Sequence, residues 1–455
     1  MLRAVSDRDA YANLLLPSLL TERGIAGRDA AFATELTYGT LRHRGTYDAI
    51  LAVCSDRDRL DPAVRDVLRL GAHQLLATRT GSHAAVSTSV DLAKDVCGPR
   101  PSGFVNAVLR RVASRDLDAW IAIVAPDRAA DEAGYLAVRH SYPRWIVEAF
   151  RDALADPADA NLEIPAETEQ ALAAGNARPE VVLALLPSSD TNLDSAELAW
   201  ASGRGAKRTR WSPFGLRLTG GGDPAPLIAT GRAAAQDEAS QLVAIALSRA
   251  PLDGSDNLWL DLCAGPGGKA RLLHHLAAGR GARLVASEVR PHRAQQVRSA
   301  MAGGPGQSST AERAGVVIAD GRHVPWRPGT FDRVLADVPC SGLGSLRRRP
   351  EARWRKTPSD LAELADLQRQ LLTSAIESVR PGGVVAYVTC SPHLSETHDV
   401  VTAVVGARSD VTILDAPAVL AEVPDLPTPR DKRFAQFWPH RHTTDAMFLA
   451  LIRRD

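Results

Sequence analysis

Apolar residues recur at three- and four-residue spacing from Asp9 to about Ser114, in segments separated by short breaks rich in Gly, Pro and Asp. This is the period of amphipathic helices, so we predict an all-helical domain over residues 1–115. The pattern is mixed over residues 116–232, where helical spacing gives way to the apolar run Val181 to Leu186. We interpret that region as a small α+β connecting domain.

Over residues 233–455, apolar runs of strand length alternate with runs of helical spacing. The predicted strands are Leu258 to Leu262, Arg283 to Ser287, Val316 to Ala319, Arg333 to Ala336, Val384 to Thr389 and Ala446 to Ile452. Right-handed crossovers place the intervening helices on both faces of such a sheet. The alternation therefore predicts an α/β fold with a doubly wound, Rossmann-like parallel sheet.

Composition narrows this picture only slightly. A length of 455 residues exceeds one ordinary core and agrees with two or three domains. The net charge of +1 gives no global sign of a nucleic-acid partner. The five cysteines form no Cys-x-x-Cys pair, and we find neither a signal peptide nor an apolar run of transmembrane length. We expect a monomeric, metal-free protein of the cytoplasm.

Three short motifs each follow a predicted strand. They are LDLCAGPGGK from Leu260 to Lys269, DVPCSG from Asp337 to Gly342, and TCS from Thr389 to Ser391. Open α/β sheets bind ligands outside the carboxyl ends of their strands, so we expect the three motifs to line one pocket. Two thiols, those of Cys340 and Cys390, would then face that pocket.

The first motif predicts a cofactor site. Its glycines open a helix whose first amides are unpaired and whose dipole end is positive, which suits a carboxylate or a phosphate. Glu288 directly follows the next strand, where an acid takes ribose hydroxyls, and Asp320 after the third strand could take an adenine amino group. Because neither Gly-x-Gly-x-x-Gly nor a Walker lysine pattern is present, S-adenosylmethionine fits best.

The alternative is that the glycines serve only a tight turn from strand to helix. The predicted cofactor-binding residues are Cys263, Ala264, Gly265, Pro266, Gly267, Gly268, Lys269, Glu288, Asp320 and Asp337.

Two thiols in one pocket suit methylation of cytosine. Carbon 5 is too weakly nucleophilic to take a methyl group unaided, and a thiolate that adds to carbon 6 activates it. A base must then remove the carbon 5 proton so that the thiol can leave. Asp337, three residues before Cys340, is suitably placed to hold the ring nitrogen and the exocyclic amine. Residue chemistry alone leaves Cys340 and Cys390 as equal candidates for the nucleophile.

The three motifs closely resemble those of the Sun/Fmu-type RNA cytosine-5 methyltransferases. This resemblance implies a class I methyltransferase domain over residues 233–455, with Cys390 as the nucleophile and Cys340 assisting release of the methylated RNA. We assign Lys269 a supporting role in catalysis. Cys263 most simply contributes backbone contacts in the cofactor loop.

The helical domain resembles the RNA-binding family of the antitermination factor NusB. The similar stretches are ELTYG at Glu35, GAHQLL at Gly71 and GFVNAVLRR at Gly103. Bacterial methyltransferases that carry a NusB-like domain act on a cytidine in small-subunit ribosomal RNA, so the resemblance implies 16S ribosomal RNA as the partner. Residues 116–232 would add RNA recognition. We expect an unpaired target, because a thiol reaches only an unstacked base.

The densest basic stretch of the chain follows the second motif. Candidates for an RNA phosphate track, with the tryptophan as a stacking surface, are Arg347, Arg348, Arg349, Arg353 and Trp354. A charge run is more usually a solvated loop, and that alternative stays open.

Two other hypotheses remain. The same chemistry could act on transfer RNA, which only the substrate distinguishes. The chain could also be a non-catalytic RNA-binding factor of ribosome assembly, against which the intact set of Lys269, Asp337, Cys340 and Cys390 speaks.

Overall fold

The computed structural model describes residues 1–55, 57, 59–157, 164–186, 205–219, 224–229, 231, 233–302 and 314–455. The chain forms two compact units. The first consists of Met1–Arg151, Pro165–Ala177 and Leu346–Lys356, and the second of Asp152–Ile164, Arg178–Ser345 and Thr357–Asp455. The predicted connecting region, residues 116–232, contributes to both units.

The first unit is built from helices. They are α1 (Leu2–Asp7), α2 (Ala12–Glu22), α3 (Gly27–Arg42), α4 (Arg44–Cys54), α5 (Pro62–Ala77), α6 (Ser82–Cys97), α7 (Ser102–Val112), α8 (Leu117–Val124), α9 (Glu132–His140), α10 (Arg144–Leu154), α11 (Ile164–Asn176) and a 3-10 helix at Pro350–Trp354. The last three residues of α10 and the first residue of α11 belong to the second unit. Side chains of Tyr47, Ile50, Leu68 and Leu109 lie fully buried in its core. The predicted helical domain is confirmed.

The second unit contains a small antiparallel sheet. Its strands are β1 (Val181–Leu185), β2 (Ala206–Arg208), β3 (Gly215–Leu218) and β4 (Ala233–Ala235). The helix α12 (Ala225–Ala229) lies between β3 and β4 along the chain. The strand order is β2-β3-β1-β4, and every neighbouring pair is antiparallel.

The larger sheet of the second unit carries the three motifs. Its strands are β5 (Leu258–Asp261), β6 (Arg283–Ser287), β7 (Ala314–Val317), β8 (Phe331–Asp337), β9 (Val379–Thr389), β10 (Val411–Leu414), β11 (Ala435–Gln436) and β12 (Phe448–Arg454). The order is β10-β12-β9-β8-β5-β6-β7, with β11 paired to β12. Strands β5 to β9 pair in parallel, whereas β12 is antiparallel to its neighbours.

Helices cover both faces of this sheet. They are α13 (Glu238–Arg249), α14 (Gly268–Ala278), α15 (Pro291–Met301), α16 (Pro358–Ser378), α17 (His398–Gly406), α18 (Ala416–Val419) and α19 (Pro439–His442). Successive strand side chains point to opposite faces, so Trp259 joins the core beneath α13 to α15 and Leu260 the core beneath α16 and α17. The predicted doubly wound α/β fold is confirmed.

The order of the strands fixes where a ligand can bind. The chain runs outward from β5 to β7 and then returns to β8, on the other side of β5. The carboxyl ends of β5 and β8 therefore flank a topological switch point, where open sheets form a crevice. Among the described residues, no helix combines the length and the apolar character needed to cross a membrane.

Candidate active site

The loops after β8 and β9 bring the two motif cysteines together. Cys340 Sγ lies 3.2 Å from Cys390 Sγ, although 50 residues separate them along the chain. Main-chain bonds hold the loops side by side, since Gly344 N–H donates to the carbonyl of Cys390 at 2.8 Å. A Cβ at Gly344 would lie 1.8 Å from the carbonyl oxygen of Ala446, so this close approach requires glycine.

The two thiols differ in their surroundings. The hydrogen bond with Cys390 raises the pKa of Cys340 well above its ordinary value, and burial and the nearby charges of Glu396 and Asp337 raise it further. Cys340 therefore keeps its proton at neutral pH. Both side chains remain only partly buried, as access for a base requires.

A lysine and an aspartate flank the thiols. Lys269, in the first turn of α14, donates from Nζ to Asp337 Oδ2 at 2.8 Å. Burial alone would lower the pKa of Lys269, but the charge and hydrogen bond of Asp337, together with Cys390, raise it above its ordinary value. The lysine thus stays charged, and a positive charge close to Cys390 stabilises a thiolate there.

The glycine loop approaches Glu288 closely. Gly267 has φ +113°, and a Cβ at Gly265 would lie 2.0 Å from Glu288 Oε2. Glu288 is buried, and its Oε1 accepts from the Arg290 N–H at 2.9 Å. Arg293 Nη2 donates to the carbonyl of Gly265 at 2.6 Å. Sequence reasoning missed Arg293, whose place in the first turn of α15 was the available signal.

Asp261, the last residue of β5, was also missed, although it stands inside the first motif. Burial, and then the charge of Asp337, raise the pKa of its carboxyl group to about 8. Its Oδ1 is buried and has no hydrogen-bond partner in the part of the chain that the structure describes. An orphaned carboxyl oxygen beside a glycine loop and Glu288 fits a ligand that carries an ammonium group, a carboxylate and a ribose.

Two other predicted cofactor contacts have their own environments. The side chain and the N–H of Arg322 bond to the Asp320 carboxylate and lower its pKa to about 2, so an adenine amino group would share this carboxylate with Arg322. Burial raises the pKa of Cys263 well above its ordinary value. A thiol that keeps its proton is a poor nucleophile, in agreement with a backbone role for Cys263.

The basic segment requires a correction. Arg353 is 0% exposed, within the first unit. Its Nη1 donates to the carbonyls of Arg42 at 3.0 Å and Ser141 at 3.2 Å, and its Nη2 donates to Tyr142 Oη and the carbonyl of Gly175, both at 3.0 Å. The guanidinium also lies 3.7 Å from the centre of the Tyr142 ring. Arg353 is therefore unavailable to an RNA phosphate.

The other members of the segment vary in exposure. Arg347 is buried, Arg348 and Trp354 are half-buried, and Arg349 is exposed. The Trp354 ring packs over Gly45, where a Cβ would lie 2.6 Å from it. Arg349 keeps the surface position that a phosphate contact needs.

The fold and the site together define a class of enzyme, the S-adenosylmethionine-dependent methyltransferases. A family model described as 16S rRNA methyltransferase RsmB/F matches residues 249–453, and the NusB family model matches residues 1–114. The chain belongs to the RsmB/F family of RNA methyltransferases, and its cofactor is S-adenosylmethionine. The resemblance predicted from the motifs is thereby confirmed.

Individual relatives agree with this assignment. A Mycobacterium tuberculosis protein named as a methyltransferase is 50% identical over 100% of this chain and 94% of its own length. The ribosomal RNA small subunit methyltransferase B of Pseudomonas syringae pv. tomato is 30% identical over 91% of this chain and 87% of its own. The crystal structure of PH0851 shares the fold with a TM-score of 0.74 at 21% identity, covering 96% of this chain and 93% of that chain.

Proposed function

We propose that the protein methylates carbon 5 of a cytidine in 16S ribosomal RNA through a covalent cysteine–cytosine intermediate. The observation that carries this proposal is the 3.2 Å contact of Cys340 and Cys390 beside the Lys269–Asp337 pair. The small-subunit methyltransferase names of the relatives support the choice of RNA. Such a substrate implies a cytoplasmic enzyme.

The domains would divide this work. We assign RNA binding to residues 1–115, further RNA recognition to the connecting region of residues 116–232, and catalysis to residues 233–455. The loop from Cys263 to Lys269, with Glu288 and Asp261, would hold S-adenosylmethionine, which supplies an electrophilic methyl group. Transfer RNA is the competing substrate and belongs in every assay.

The residues of the site account for each bond change. The Cys390 thiolate, stabilised by Lys269, adds to carbon 6, and the electron pair of the ring double bond moves to carbon 5, which takes the methyl group. Asp337 holds the polar edge of the base. For release, Cys340 gives its proton to the departing Cys390 sulfur and accepts the carbon 5 proton, so that the ring double bond re-forms. The carbon 5 proton is thus retained by the thiol pair, and Cys390 ionises before the next turnover.

Two substitutions test the proposal. Cys390→Ala is expected to abolish methylation of a 16S ribosomal RNA transcript while the affinity for S-adenosylmethionine stays within about 2-fold, since no ligand of the cofactor is removed. Cys340→Ala is expected to accumulate a covalent protein–RNA adduct on denaturing gels. Cys97→Ala removes a half-buried thiol of the first unit and serves as the matched control. If neither active-site variant differs from the parent protein, the two-thiol mechanism is wrong.

A further inference from the structure

A buried carboxylate lies beneath the two cysteine loops. Glu396 ends the 3-10 helix Leu394–Glu396 and is 0% exposed. Its Oε1 accepts from the Ser341 N–H at 2.7 Å and from Gln368 Nε2 at 3.1 Å. Its Oε2 accepts from the Ser341 hydroxyl at 2.5 Å. Ser341 directly follows Cys340, so the carboxylate grips the chain beside a reactive thiol.

The Glu396 carboxylate itself contacts the Cys340 loop, and its partners Gln368 and Ser341 make further hydrogen bonds. Gln368 Nε2 also donates to the carbonyl of Pro339 at 2.9 Å, so the residues on either side of Cys340 are tied to one buried cluster. The hydroxyls of Ser341 and Ser391 lie 3.1 Å apart, within hydrogen-bond distance. Because Ser391 follows Cys390, this contact joins the two thiol-bearing loops.

Glu396 makes these contacts without a cation. In the described part of the chain no basic side chain forms an ion pair with it, and N–H and O–H donors satisfy both carboxylate oxygens instead. Tyr387 Oη further donates to the main-chain carbonyl of Glu396 at 2.8 Å, which fixes the backbone. Burying a carboxylate costs free energy unless such donors satisfy it. The donors of the Cys340 loop supply this stabilisation, and the same hydrogen bonds hold that loop in place.

We propose that Glu396 is a positioning residue that holds the Cys340 loop against Cys390, so that release of methylated RNA depends on it. This inference rests on the proposed function, in which Cys340 acts after methyl transfer. The charge of Glu396 is also among the groups that keep Cys340 protonated. The carboxylate would thus fix the position of the Cys340 thiol and help to keep that thiol protonated.

The test compares Glu396→Gln, Cys340→Ala and the double variant in the full chain, with a 16S ribosomal RNA transcript under single-turnover conditions. We expect Glu396→Gln to slow release by about 10-fold or more and to accumulate adduct, because small misplacements of reacting groups cost this much. Adduct formation should stay within about 3-fold, since Cys390 is not displaced. The double variant should match Cys340→Ala, because the glutamate acts through that thiol.

Several outcomes would overturn the inference. A purely structural role would slow formation and release of the adduct equally and would add in full to Cys340→Ala. Ser341→Ala provides a second variant should Glu396→Gln fail to fold, since it removes one hydroxyl and leaves the main-chain bond. It should retard release more weakly, and unaltered release would contradict the proposal. Glu363→Gln, an exposed carboxylate on α16, is the control.

The two proposals fail differently. If Cys340→Ala accumulates no adduct, the two-thiol mechanism itself is wrong. If Cys340→Ala accumulates adduct and Glu396→Gln does not, only the role proposed for Glu396 is wrong.

Discussion

Two cations that the sequence suggested for function have opposite environments. Lys269, in the second unit, has a side chain that is 14% exposed and pairs with Asp337, whose side chain is 25% exposed. Arg353, in the first unit, is 0% exposed and donates to three main-chain carbonyls and the Tyr142 hydroxyl. The carboxylate raises the pKa of Lys269, whereas burial lowers the pKa of Arg353 to about 10.

The difference in exposure distinguishes a charge that can act on a ligand from a charge that stabilises the fold. A charge beside a carboxylate at a strand end can still act on a ligand, because part of its surface is accessible. A guanidinium enclosed by neutral oxygens donates its N–H groups to the protein itself, so those donors are not accessible to a ligand. The local density of arginines around Arg353 said nothing about which of them face solvent. Substitutions at the two sites should therefore damage different properties.

The largest effect is expected at the active site. Lys269→Met should lower the rate of methyl transfer by about 10² to 10³-fold, because a positioned charge is lost where a thiolate and an adduct form. The free energy of unfolding should change little, since water can reach Asp337. Initial rates and urea denaturation measure the two quantities.

Lys94→Met is the matched control for this variant. Lys94 pairs with Asp91 at 2.9 Å on the surface, and neither activity nor stability should respond to its loss. A Lys269→Met protein that unfolds easily but retains its specific activity would reverse the comparison.

Arg353→Met should produce the opposite result. It leaves three buried carbonyls and a hydroxyl without their donor, which costs about 3 kcal/mol or more in the free energy of unfolding. Cofactor affinity of the folded molecules should be unchanged. Arg349→Met, on the exposed neighbour, should leave stability unaltered. Weaker RNA binding with full stability in Arg353→Met would restore the phosphate-track interpretation.

The sequence predicted the elements better than their ends. The third strand was expected at Val316 to Ala319 and lies at Ala314–Val317, because the hydrophobic period indicates that a strand exists while inter-strand hydrogen bonds set its limits. Antiparallel pairing of the last strand, β12, was not foreseen, since side-chain pattern carries little information on strand direction.

The site divides in the same way. The meeting of Cys340 and Cys390 was predictable, because both follow strands of one parallel sheet. The burial of Arg353 was not, because it depends on partners as distant as Arg42, 311 residues away in sequence. Glu396 likewise lies near the third motif in the sequence, but its positioning role can be inferred only from its tertiary contact with Ser341.

A third buried ionisable group, the carboxyl of Asp261, extends the comparison to the dependence of stability on pH. Its pKa is about 8 in the fold against an ordinary value of 3.8, so the folded state holds a proton that the unfolded state loses. That stabilisation is complete below about pH 4 and is lost as the pH rises to about 8, by at least about 1 kcal/mol. Asp261→Asn should flatten this decline in urea denaturation.

Asp332 supplies a control of opposite sign. Burial alone would raise the pKa of Asp332, but Arg380, Ser255 and main-chain donors lower it below the ordinary value. Its stabilisation is therefore lost as the pH falls, and Asp332→Asn should weaken the protein most at neutral pH. Equal pH profiles for Asp261→Asn and the parent would mean that Asp261 is ionised in the fold.

The smallest effect tests what remains of the predicted RNA track. Arg349→Gln should weaken binding of a 16S ribosomal RNA transcript by about 2- to 5-fold and reduce the salt dependence by about one counterion, as loss of one phosphate contact does. Arg79→Gln, another exposed arginine of the first unit, should have no such effect. Equal losses in both variants would indicate diffuse attraction by surface charge. No loss at Arg349 would leave the segment with the structural role that Arg353 already has.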